Sequence, residues 1–196
     1  MEIKCVNDAM ELDNVMDFVK NIFAKISVSI PENNGNFWIN EISKNSNLLL
    51  YINDNDKIIA SAFAFEVDNK NITLSHFCVA KNYRNKNIGE KLMIEMENRI
   101  KTLGNKVITL GAIEVAEGFY EKMGYTGSLL IQSEKNTIDD LLSINKQYKV
   151  AWTNVYDDNI NQICLILSQP DRALQKRYEE TFVGCNTQMI FQKTIG

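Results

Sequence analysis

The 196-residue sequence predicts an α/β protein built on a mixed sheet, antiparallel first and partly parallel later, ending in a small β-β-α-β lobe. Three observations predict it. The strand-like runs Leu48–Asn53, Lys57–Val67 and Ile72–Ala80 are separated only by the turns Asp54-Asn55-Asp56 and Asp68-Asn69-Lys70-Asn71, a hairpin pattern. The apolar period then changes from two to 3.6, with Ile88, Leu92, Met93, Met96, Ile100 and Leu103 in one helical stripe. A strand follows that helix, and strand-helix-strand succession implies a right-handed crossover with parallel pairing.

The elements can be justified in order. Residues 2–6 alternate like a short strand, and Val15, Val19, Ile22, Phe23 and Ile26 form one face of a helix over 8–26. Pro31 to Gly35 breaks the chain before a short helical piece, Phe37–Ser43, and the hairpins follow. The helix from Ile88 carries the pairs Glu95–Arg99 and Glu97–Lys101 and stops at Gly104. Lys106–Gly111 reads as a buried strand, Val115–Met123 as a helix stopped by Gly124, and Tyr125–Gln132 as a strand. From Asn136 the texture changes. A polar helical piece reaches Lys146, strands follow at Tyr148–Tyr156 and Gln162–Leu167, and Pro170-Asp171 opens a helix bearing Leu174, Tyr178 and Phe182. A last strand spans Gln188–Lys193, so the expected organisation is a core domain over 1–135 and an α/β lobe over 136–196.

Composition narrows the function. Hydrophobic residues make up 45% and charged residues 23%, as in a globular protein. The four cysteines (Cys5, Cys78, Cys164, Cys185) lack metal-ligand spacing, so a reducing, cytoplasmic setting and no metal are expected. No apolar run approaches the ~20 residues that span a bilayer, and the first residues lack a signal-peptide layout. A net charge of −4 without basic clusters argues against nucleic acid as a partner.

The informative junction runs from His76 to Gly89, a strand passing through a short polar loop into a helix. A helix start leaves backbone N–H groups unpaired and carries partial positive charge, which suits a phosphate. Arg84 and Lys86 add full charges, and Gly89 lets backbone approach a ligand closely. An exposed basic loop is the plain alternative.

The run Tyr83-Arg84-Asn85-Lys86-Asn87-Ile88-Gly89 resembles the acyl-CoA pyrophosphate loop of the GNAT N-acetyltransferase superfamily, Arg/Gln-x-x-Gly-x-Gly/Ala. Arg84 and Gly89 match, while Asn87 replaces the middle glycine and is the residue that best tolerates a left-handed backbone. Phe119-Tyr120-Glu121-Lys122-Met123-Gly124-Tyr125 resembles the family's second signature. The resemblance covers residues 1 to about 132. It implies a sheet splayed between the strands at 72–80 and 106–111, with the pantetheine arm in the gap. Backbone groups of Cys78 and Val79 would bind that arm, and the amides of Arg84, Asn85, Lys86, Asn87, Ile88 and Gly89 the pyrophosphate. Tyr120 would be the general acid, since phenol and thiol pKa values of ~10 and ~8.5 allow proton transfer to a departing thiolate.

His76, the single histidine, is a candidate base beside the acyl carbonyl, or else a structural residue. Glu66, Glu114 and Glu117 are further base candidates. The expected reaction is direct acetyl transfer from acetyl-CoA to the primary amine of a small molecule or peptide. The rival is a non-catalytic acyl-CoA sensor. The C-terminal lobe would shape the amine site or form a homodimer interface.

Overall fold

The computed structural model describes residues 1–24, 35–104, 106–157 and 159–196. The break expected at Pro31 and the expected helix end at Ile26 lie outside them. The chain forms two compact units, Met1–Ile108 with Thr194–Gly196, and Thr109–Lys193.

The first unit contains β1 (Glu2–Cys5), α1 (Ala9–Phe23), α2 (Gly35–Asn45), β2 (Leu49–Asp54), β3 (Lys57–Glu66), β4 (Asn71–Val79), α3 (Ile88–Lys101) and the start of β5 (Lys106–Ala112). Its strands run β1-β2-β3-β4-β5, the first four pairing antiparallel. The α3 crossover between β4 and β5 makes the sheet mixed, as the sequence predicts. Asn55 and Asp56 take φ of 47° and 61° between the paired ends Asp54 and Lys57, so a tight left-handed turn sets the β2–β3 register. Asp8 caps α1 by accepting the Glu11 amide at 2.8 Å.

Every second residue of β3 from Ala60 to Ala64 is an alanine. Ala60, Ala62 and Ala64 leave room for a helix, and α3 packs on β3 with Leu92, Met93, Met96 and Ile100 fully buried. Phe63 joins a core of Val6, Leu12, Val15, Val19, Trp38, Leu49, Tyr51 and Cys78. Its ring lies edge-on to Trp38 at 5.2 Å, a favoured aromatic geometry. The β3–β4 ladder slips between Phe63 and Ala64, where Ser75 is the extra residue of a bulge.

The second unit holds α4 (Glu114–Lys122), β6 (Thr126–Ser133), α5 (Ile138–Ser143), β7 (Val150–Tyr156), β8 (Ile160–Ile166), α6 (Arg172–Thr181) and, as far as Lys193, β9 (Cys185–Ile195). The tail has the β-β-α-β order that the sequence predicts. Its strands are arranged β9-β6-β8-β7, and β6 is bonded on one side to β9 and on the other to β8, antiparallel in both cases. The boundary expected between residues 135 and 136 falls inside this unit. Leu129 and Ile131 of β6 are fully buried, as are Ile163, Leu165, Met189 and Phe191 of the two flanking strands. The Thr137–Asp140 capping box starts α5. Among the described residues, no helix is long and apolar enough to cross a membrane.

Candidate active site

In the first unit the β4–α3 junction is built from local hydrogen bonds. Ala80 N–H donates to Ile59 O at 2.8 Å, so the strand stays paired to its end. A short 3-10 turn over Lys81–Tyr83 follows, and Arg84 folds back so that Nε donates to Val79 O at 3.0 Å. The Arg84 amide donates to Lys81 O at 3.3 Å, so that N–H is already engaged within the loop. Asn85 and Asn87 then take left-handed φ values of 58° and 60°. Left-handed residues at a loop-to-helix junction are one of the ways a backbone turns its amides toward an anion.

Asn87 occupies the N-cap position of α3, yet its side chain caps nothing. Its carbonyl already accepts the first helical bond, from Lys91 N–H at 3.0 Å. The amides of the first turn, Ile88, Gly89 and Glu90, therefore have neither a helical acceptor nor a capping side chain. Lys86 and Arg84 are exposed beside them, Lys86 with its Nζ 5.3 Å from the Tyr83 ring centre. Tyr83 is itself held by a 2.8 Å bond to Asp54 Oδ2, which ties the loop to the β2–β3 turn.

Cys78 and Val79 pair with Ser61 and Ala60 of β3. Burial pushes the Cys78 thiol up to about 12. The side chain is thus an uncharged core group.

His76 is buried beside Phe63, ring centres 4.4 Å apart, with Nε2 3.0 Å from Ser61 Oγ. Because the Ser61 hydroxyl donates to Leu50 O at 3.2 Å, Nε2 is left as donor to Oγ. Loss of hydration lowers the imidazole pKa to about 3, so it is neutral at pH 7 and a weak base. In this place His76 links three strands of the first unit's core.

A pH dependence follows. Unfolded histidine takes up a proton near 6.5, whereas folded His76 does so only near 3. Its contribution is complete above pH 6.5 and declines as pH falls, by up to about 1.4 kcal/mol per unit. Urea unfolding at pH 7.5 and 5.0 should show wild type losing about 2 kcal/mol more than His76→Gln. Equal losses in both proteins would contradict this placement.

In the second unit, α4 carries Tyr120, 5% exposed, with ring centres 5.8 Å from Tyr125 and 5.6 Å from Phe191. Gly124, at φ 81°, ends the helix and lets Tyr125 N–H return to Tyr120 O at 3.0 Å. One turn before Tyr120, Glu117 is 1% exposed, and burial raises its carboxyl pKa. Gln175 Nε2 donates to its Oε1 at 3.3 Å, and Arg172 lies 3.5 Å from Oε2. Arg172 also pairs with the exposed Glu114. Glu66, in the first unit, is bound to buried Lys106 at 2.8 Å. Of the three carboxylates, Glu117 alone is buried. Its partners Arg172 and Gln175 on α6 escaped sequence reasoning, because helical period reveals a face and not what covers it. Among the described residues, no group of three or more His, Cys, Asp or Glu could hold a metal.

Comparison with known proteins places the fold and then the family. Ard1 from Thermoplasma volcanium superposes with a TM-score of 0.53 at 10% identity, over 87% of this chain and 98% of its own. The PaiA N-acetyltransferase of Thermoplasma acidophilum, in complex with coenzyme A, gives 0.51 at 16%, over 85% and 100%. An aminoglycoside 6'-N-acetyltransferase complexed with coenzyme A gives 0.50 at 17%, over 87% and 100%. A search of curated proteins finds no match. These structures define an α/β protein with the acetyltransferase fold. The description of the acetyltransferase (GNAT) domain matches residues 31–139, more than half of the chain, and the chain belongs to that family.

Proposed function

We propose that the protein transfers an acetyl group from acetyl-CoA to a primary amine. The observation that carries this reading is the uncapped start of α3, with its left-handed Asn85 and Asn87 and its exposed Arg84 and Lys86. The amides from Asn85 to Gly89 cradle the cofactor's pyrophosphate, and the backbone of Cys78 and Val79 binds the pantetheine arm. The neutral amine attacks the acetyl carbonyl directly, forming the C–N bond as the C–S bond breaks. Tyr120 protonates the departing thiolate, and the proton released by the acylated nitrogen passes through water to restore the Tyr120 phenol. This role rests on its position in the Phe119-Tyr120 signature and on the match of phenol and thiol acidities. No step runs through His76. Neighbours of this fold whose names specify an amine acetyltransferase support an amine acceptor, of small-molecule or peptide origin.

Titration calorimetry with acetyl-CoA tests the reading. Free CoA should bind as well, since it carries the same pyrophosphate. Asn87→Gly should bind as wild type does, because glycine adopts φ near 60° freely. Asn87→Val forces a β-branched residue into that backbone and should weaken binding at least about tenfold, a cost of ~1.4 kcal/mol. No binding of wild type at millimolar acetyl-CoA would overturn the proposal. Binding without thiol release on any of a panel of amines would support the sensor reading instead.

A further inference from the structure

Strand β4 changes face at its bulge. Leu74 stands opposite Ala64, whereas His76 stands opposite Phe63 and Cys78 opposite Ser61, with Ser75 left over between them. Had the pairing of Leu74 continued without the extra residue, His76 would oppose Ala62 and Phe77 would oppose Ser61. Such a slip would turn His76 to the face of Ala60, Ala62 and Ala64, away from Ser61. A bulge leaves one residue unpaired and disrupts the ladder, so other contacts must hold it in place.

We infer that His76, through Ser61, fixes this register and thereby positions the Cys78–Val79 backbone for the pantetheine arm. Ser61 is the ladder partner of Cys78, and His76 reaches it diagonally, Nε2 donating to Oγ at 3.0 Å. The Ser61 hydroxyl donates onward to Leu50 O at 3.2 Å, so β4 is pinned to β2 as well as to β3. Both side chains are buried, where a hydrogen bond left unmade is costly. The slipped register has no place for this bond. Register also decides which N–H and C=O groups of Cys78 and Val79 bond to β3 and which turn away from it, because these directions alternate along a strand. His76 therefore acts through Ser61 and the strand, as a positioning residue. This role rests on the acetyl-CoA reading, and its test separates the two.

Titration calorimetry with CoA and with 3'-phospho-ADP, which is CoA without its pantetheine arm, tests it. Wild type should bind CoA the more tightly, and the ratio of the two affinities reports the seat of the arm. His76→Leu keeps the bulk but lacks the donor, and should weaken CoA about tenfold while leaving 3'-phospho-ADP unchanged. Ser61→Ala removes the same bond with a smaller change of volume and should do likewise. It is read by itself if His76→Leu does not fold. His76→Gln, whose amide still donates to Ser61, should bind both ligands as wild type does. A protein that is merely destabilised would lose both ligands alike, so only a moved arm seat changes the ratio. Equal weakening of the two ligands in Ser61→Ala, or none, would overturn the inference and leave acetyl-CoA binding standing. So would a His76→Gln that loses as much as His76→Leu, or a wild type that binds CoA no better than 3'-phospho-ADP. A wild type that binds neither ligand would overturn the acetyl-CoA reading and this role together.

Discussion

Tyr120→Phe is expected to lower acetyl transfer about 10²–10⁴-fold while leaving acetyl-CoA affinity and the melting temperature nearly unchanged. The ring accounts for the residue's packing against Phe119, Tyr125 and Phe191, and phenylalanine keeps the ring. The substitution removes one hydroxyl, the group assigned to protonate the thiolate. A second measurement separates that role from a packing defect. An acyl donor with a more acidic leaving thiol needs less help from an acid, so it should narrow the gap between variant and wild type. A packing defect would slow both donors alike. Turnover equal to wild type at saturating acetyl-CoA would return Tyr120 to the aromatic core.

Removal of residues 137–196 is expected to abolish folding of the second unit. The deletion takes β8 and β9, and with them every ladder partner of Thr126–Ser133. It also strips Phe191 from Tyr120, and Arg172 and Gln175 from the buried carboxylate of Glu117. A strand bared on both sides, with Leu129 and Ile131 uncovered, is an aggregation hazard. The truncated chain should collect in the insoluble fraction and show no cooperative melting. A soluble 1–136 chain with a cooperative transition would refute this and restore a separable C-terminal lobe.

What the sequence alone determined is what neighbours along the chain decide. The switch of apolar period at Ile88 marked α3, Gly124 marked the end of α4, and Asp54-Asn55-Asp56 marked the β2–β3 turn. The Asn87 that departs from the glycine pattern takes the left-handed backbone that such a glycine would supply. Each of these depends on the residue's own backbone and on side chains within a few positions.

Tertiary structure decided which surfaces met. Residues 136–196 read as an appended lobe because strand period says nothing of the partner across the ladder. In the fold, β9 closes on β6 across more than fifty residues of chain. Glu117 reads in the sequence as one of three candidate bases, and only α6 sets it apart by covering its carboxylate, while His76 was legible as base or core. Desolvation lowers its basicity, because the free energy of a charge depends on everything packed around it. Periodicity is local, whereas pairing and burial are sums over residues distant in sequence, so they became legible only in three dimensions.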